Sequence, residues 1–205
     1  MSMKYLPACT FPPTHWWAYF LAENSQVDLG EIYVKQTYRN RFVIAAVNGP
    51  VVLSIPVSGT NGVKTQVKDI RISDHRWISG YTTTIRSAYG RSAYFEHYFD
   101  EIAMLLQRQH HFLLDLNIAS IEWCSKKLKL SSPIVFNQEQ IPNTGGLDDL
   151  RNIFEPASVV PDMPNYPQVF SDRHYFKPGL SVVDLLFNMG PKAIDYLLLK
   201  NFSSK

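Results

Sequence analysis

The segment RFVIAAVNGPVVLSIPV, residues 41–57, sets two apolar runs on either side of Asn48-Gly49. Asn-Gly is the strongest short-range signal for a two-residue turn, so the segment predicts a β-hairpin. Upstream, VDLGEIYV (27–34) predicts another strand, and KYLPACTF (4–11) a first strand stopped by Pro12-Pro13, which remove ladder donors and fix φ. Thr14 can cap the helix predicted over 15–24, where Trp17, Phe20 and Leu21 recur at helical spacing. Downstream, SGTNGVKTQ (58–66) is turn-rich and predicts a loop, and KDIRIS (68–73) a short strand.

From Trp77 the period changes from two to between three and four. Residues 77–90 and 92–128 carry apolar side chains at helical steps, among them Phe95, Phe99, Ile102, Leu105 and Leu106, then Leu113, Leu116 and Ile121. Ser92, with Glu96 near the reciprocal position, predicts a capped start to the second of these helices. A proline-rich, weakly periodic connection spans 131–170. Helix returns after Pro178-Gly179, with Ser181 as its cap and an interruption at Gly190-Pro191. The expected architecture is an α/β fold: one domain over residues 1–205, with a small mixed N-terminal sheet (1–75) followed by a mostly α-helical part (76–205).

The 205 residues are 45% apolar and 19% charged, a globular composition, and no apolar run approaches the roughly 18 residues of a membrane span. No membrane insertion is expected, and the absence of a signal-like N-terminal stretch predicts a cytoplasmic protein. A net charge of +2 with dispersed Lys and Arg argues against nucleic acid as a partner. Cys9 and Cys124 have neither C-x-x-C spacing nor a disulfide framework, and the adjacent His110-His111 cannot converge on one metal, so no metal site is expected. Walker, dinucleotide-binding and zinc-protease motifs are missing from the sequence.

The most distinctive polar block is KQTYRNR, residues 35–41, which holds Lys35, Arg39 and Arg41 with no carboxylate among them. Were it extended, Lys35, Thr37, Arg39 and Arg41 would share one face. Guanidinium forks beside an ammonium suit phosphate or carboxylate; a solvated strand end paired with scattered acids is the plainer reading, and the residues alone leave both open. SAYGRSAYFEHYFDE (87–101) combines the hydroxyls Ser87 and Tyr89 with Glu96, His97 and Glu101, open either to acid–base chemistry or to a helix-surface pair of His97 with Glu101 four residues on. Ser87 has no nucleophile-elbow context. His174 stands in SDRHYF (171–176), where polar residues on a loop are open to functional or structural roles alike.

These blocks, taken with LPACTFPPTHWWAYF (6–20) and NYPQVFSDRHYFKPGLSVVDLLFNMGP (165–191), resemble the WbqC-like family over most of the chain. The resemblance implies a role in surface-polysaccharide or O-antigen biosynthesis, with aminoacyl (glycine) or related group transfer as the suggested activity; it names no cofactor. It favours a functional site at the basic block, with Arg39 and Arg41 gripping the anion, Lys35 neutralising developing charge, and Asn40 and Tyr38 orienting the acceptor. The ligand would be a phosphate, nucleotide-sugar or carboxylate. The chain departs from the family pattern at Tyr81, where the family tends to have His; that departure favours the alternative, a non-catalytic nucleotide-sugar or phosphate-ligand binder. The order of strand, Pro-bearing turn and helix is also similar to nucleotidyltransferase-like folds. That analogy predicts that Thr14, His15 and the opening N–H groups of the first helix face the cations of the basic block, closing an anion pocket from two sides.

Overall fold

A computed structural model describes residues 3–22, 24–59, 64–139, 141–142, 149–156, 160 and 162–199. The chain opens with β1 (Lys4–Pro7), α1 (Thr14–Leu21) and β2 (Ser25–Asp28). β1 and β2 are parallel, in register Lys4↔Ser25 to Pro7↔Asp28, and α1 supplies the crossover that parallel pairing demands. The third strand of this sheet, β7 (Phe136–Asn137), comes from the proline-rich connection and pairs parallel with β2. Trp16 and Trp17 anchor α1 in the core; Trp16 donates Nε1–H to the Pro7 carbonyl at 3.0 Å and stacks on Phe20.

The predicted hairpin is present as β3 (Arg41–Ala46) and β4 (Gly49–Ser54). Its turn is Val47-Asn48, one residue earlier than expected, because Gly49 at φ 110° opens β4 opposite Ala46. A second short ladder joins β5 (Val57–Ser58) to β6 (Arg71–Ile72). The mixed α/β sheet region is therefore three small sheets among the described residues. The free edge of β3 is occupied by other groups: Ala45 N–H donates to the Tyr89 hydroxyl (2.9 Å) and Val43 accepts from Ser181 N–H (2.8 Å), which leaves no continuous edge for a further strand. The expected loop over 58–66 includes residues 60–63, which lie outside the described residues.

The helical part follows the periodicity, except that the helix expected over 92–128 is broken between Gln107 and Leu113 into two. α2 (Trp77–Tyr89), α3 (Phe95–Gln107) and α4 (Leu113–Lys127) bury the apolar stripes that predicted them. Ser92 does not cap α3. Its hydroxyl donates to the Tyr89 carbonyl at 2.7 Å, and α3 begins after Tyr94. A single turn, α5 (Ser171–His174), precedes α6 (Val182–Met189), whose residues Val182 to Phe187 are all buried and whose Ser181 cap accepts from Val183 N–H. A 3₁₀ turn (Gly190–Lys192) leads into α7 (Ala193–Leu198). Gly190 has φ 53°, and a Cβ there would lie 2.4 Å from the Tyr94 ring. Gly190→Ala is expected to destabilise the protein by about 1–3 kcal/mol, read as a lowered midpoint in calorimetric melting.

Candidate functional site

The basic block is not a strand. Residues 35–40 turn twice, with Gln36 at φ 64° and the Thr37 hydroxyl donating to the Val34 carbonyl at 2.8 Å. Instead of one partner strand, the backbone has three tethers: Tyr38 O accepts from Thr10 N–H, Tyr38 N–H donates to Phe154 O, and Asn40 O accepts from Ile55 N–H. Alternation of faces is lost as a result. Arg39 turns inward, whereas Lys35 and Arg41 lie along a different hollow.

Arg39 is only 1% exposed and engages Glu31 through a two-point fork, Nε to Oε1 at 3.0 Å and NH2 to Oε2 at 2.5 Å. NH1 donates to the Thr37 hydroxyl and NH2 also to the Arg151 carbonyl at 2.9 Å. Burial pushes the Glu31 carboxyl up while the Arg39 charge and hydrogen bond pull it back. For Arg39, burial works downward but the Glu31 carboxylate outweighs it, so the guanidinium stays charged. Beside this pair, Arg151 bonds Asp28 (2.7 Å) and Asp149, and clasps the carbonyls of Ile141 and Pro142. Glu31, Arg39 and Arg151 line a cavity of about 350 Å³ together with Lys64 and Asn152. Behind them, the fully buried Asn117 on α4 donates to the carbonyls of Ala8 (2.7 Å) and Arg39 (2.9 Å) and accepts from the Thr10 hydroxyl.

Lys35 and Arg41 are different. They line a hollow of about 290 Å³ together with Tyr33, Gln36, Asn40 and Val57. Neither cation forms an ion pair among the described residues. Asn40 Nδ2 donates to Ile55 O at 2.9 Å, but its Oδ1 has no protein partner, and neither has Arg41 Nε. Burial pushes the Tyr33 phenol up, and the charges of Arg41 and Arg39 draw it partly back. The hollow thus presents net positive charge, one unmet acceptor and a protonated phenol.

The other candidates lie elsewhere. Thr14 and His15 do not close a second side: Thr14 N–H donates to Leu180 O, the N–H groups of Trp16 and Trp17 return to Pro13 O, and the Thr14 hydroxyl meets Met163 Sδ. Three of the four N–H groups that open α1 are thus engaged by the protein's own carbonyls. His15 stacks on Phe154 at 5.3 Å, and burial lowers its imidazole to about 4. Tyr38 is buried beside His15, with its hydroxyl directed at Gly179 O. Ser87 and Glu96 are exposed on α2 and α3, and His174 meets the Val47 carbonyl at 2.6 Å. Tyr89 is buried, its hydroxyl lodged between Ala45 N–H and the Asp184 carboxylate. Tyr81 donates to Ser54 O, the residue paired with Arg41 across the hairpin.

Sequence reasoning missed Asp28, Glu31, Asn117, Asp149 and Arg151. Asp28 and Glu31 were the accessible signal, two acids shortly upstream of a block that has none. Among the described residues no group of His, Cys, Asp and Glu side chains could hold a metal ion, and no helix is long and apolar enough to cross a membrane.

The model of the WbqC-like protein family matches residues 27–158 and 154–196, from within β2 into α7. Among curated proteins, the uncharacterized protein Rv1507c of Mycobacterium tuberculosis is 24% identical over 192 residues, covering 80% of this chain and 83% of that protein. No solved structure matches the chain significantly. The family match takes in the basic block, both buried arginine pairs and the hollow beside Arg41, and this chain belongs to the WbqC-like protein family.

Proposed function

We propose that the protein grips a small phosphate- or carboxylate-bearing substrate in the Lys35–Arg41 hollow and acts as a group transferase, of aminoacyl (glycine) or related groups, in surface-polysaccharide biosynthesis. The observation that carries the anion site is the pair of cations without acids at one concave surface, while every other buried arginine nearby is neutralised internally. An exposed ammonium and a half-buried guanidinium can cancel charge that develops on a transferred group. Arg39 then serves as a strut, holding the loop that carries Lys35 and Arg41.

A second reading, a non-catalytic phosphate or nucleotide-sugar binder, is favoured by a lining without His, Cys, Asp or Glu among the described residues and by Tyr81, whose hydroxyl is engaged by a backbone carbonyl. Inorganic phosphate, UDP-glucose and aminoacyl donors are the probes for a thermal-shift screen, since a ligand of the folded state raises the melting midpoint. Arg41→Ala and Lys35→Ala are each expected to weaken binding about tenfold or more, by loss of a charge-assisted bond, with little change in the unliganded midpoint. Turnover of a stabilising compound supports the transferase; stabilisation without turnover supports the binder. A flat response to all probes overturns the site.

A further inference from the structure

We infer that the ligand of the Lys35–Arg41 hollow carries a hydrogen-bond donor, a hydroxyl or an amino group, beside its anionic group. This rests on the anion-site reading and narrows its substrate class. The Asn40 amide has a determined orientation: Nδ2 donates to Ile55 O at 2.9 Å, and the flipped amide would set two acceptors against each other. Its Oδ1 is therefore a fixed acceptor. Asn40 is 7% exposed, Oδ1 is closed off from solvent and no protein donor reaches it. Buried acceptors in folded proteins are nearly always satisfied, and one left open in the wall of a concave site calls for an explanation.

A carboxylate or a fully ionised phosphate ester alone does not answer it. The anion's oxygens suit Lys35 and Arg41, whose Nε is likewise without a partner, but they would repel a carbonyl oxygen. The complement to the wall as a whole is a molecule with two poles: oxygens for the cations and an O–H or N–H for Asn40. Asn40 and Arg41 both line the hollow and each holds one unmet atom, an acceptor and a donor, so a single two-poled ligand can answer both. The volume, about 290 Å³, is at the small end for ligand sites and suits a compact hydroxylated or aminated anion, or the corresponding end of a larger one.

The test pairs ligands that differ by the donor alone. Glycerol 3-phosphate is compared with propyl phosphate, and lactate with propionate, by calorimetric titration of the full chain at pH 8, with sulfate, an anion without a donor, as the baseline; the two pairs distinguish a phosphate from a carboxylate source. The hydroxylated member of at least one pair is expected to bind about tenfold more tightly. Asn40→Ala is expected to reduce that ratio to about one while keeping affinity for the donor-free members, propyl phosphate and propionate. Should Asn40→Ala fail to fold, the ratio on the unaltered protein decides alone. Equal affinity within both pairs, with the anions bound, overturns the donor inference and leaves the anion site standing; no binding by any of the five overturns both.

Discussion

Arg39→Ala is expected to lose about 3–5 kcal/mol of folding stability in urea titration at neutral pH. The side chain is 1% exposed, and its guanidinium makes four hydrogen bonds, two of them to the Glu31 carboxylate. Truncation leaves that carboxylate buried without its counter-charge, which is what makes breaking one half of a buried pair so costly. Arg39→Lys keeps the charge but not the fork, and cannot serve Glu31, Thr37 and Arg151 O together, so it too is expected to be destabilised, by a smaller amount. The double variant Arg39→Met, Glu31→Leu removes both charges and should recover a substantial part of the loss. Acidification gives an internal check. In Arg39→Ala, burial raises the folded pKa of Glu31 above its unfolded value, so the folded state takes up a proton first. The deficit is then smallest below the unfolded pKa and grows as pH rises through the folded one. An Arg39→Ala protein within 1 kcal/mol of the parent would show that the pair is not what holds the basic loop.

Local signals were enough for elements whose partners are close in sequence. The hairpin 41–54 and the helices from Trp77 carry their own period; the hairpin differs from that reading by one residue, at the Val47-Asn48 turn, whereas the single helix read over 92–128 starts at Phe95 and is divided into α3 and α4. β7 was not legible, because two residues in a proline-rich connection have no period, and their partner Val27 is over a hundred positions away. Arg151 was hidden for the same reason: its role is defined by Asp28, at the far end of the chain's first parallel pair. The basic block shows the limit most clearly. Its composition announced a site, but side-chain direction came from alternation along a strand that does not exist, so Arg39 was grouped with Arg41 although Glu31 draws it to the other side. Asn117, likewise, is one polar residue in a helix pattern, and only the tertiary fold places it against Thr10 and the Arg39 carbonyl.

Asp184→Asn is expected to expose a steep acid sensitivity that the parent protein conceals. Asp184 lies fully buried in the first turn of α6, accepting from the Tyr89 hydroxyl at 2.7 Å and the Tyr166 hydroxyl at 2.6 Å; burial nevertheless lifts its carboxyl from 3.8 to about 6. Because the folded pKa is the higher one, the folded state holds the proton more tightly. The group's favourable contribution is complete below about 3.8 and is lost as pH rises through about 6. His15 works in the opposite sense: buried, stacked on Phe154 and lowered from 6.5 to about 4, it favours folding above 6.5, an effect lost as pH falls toward 4. At 1.36 kcal/mol per pKa unit each contribution is about 3 kcal/mol, so across pH 4 to 7 they nearly cancel in the parent. Asp184→Asn removes one side while keeping an acceptor for Tyr89 and offering N–H to the Tyr166 oxygen. Between pH 7 and pH 4 its stability should fall by about 3 kcal/mol more than the parent's, read from urea midpoints at both values. His15→Phe, which preserves the stacking surface, should show the reverse slope and gain stability on acidification. The same slope in the parent and in both variants would mean that neither group titrates as its burial demands.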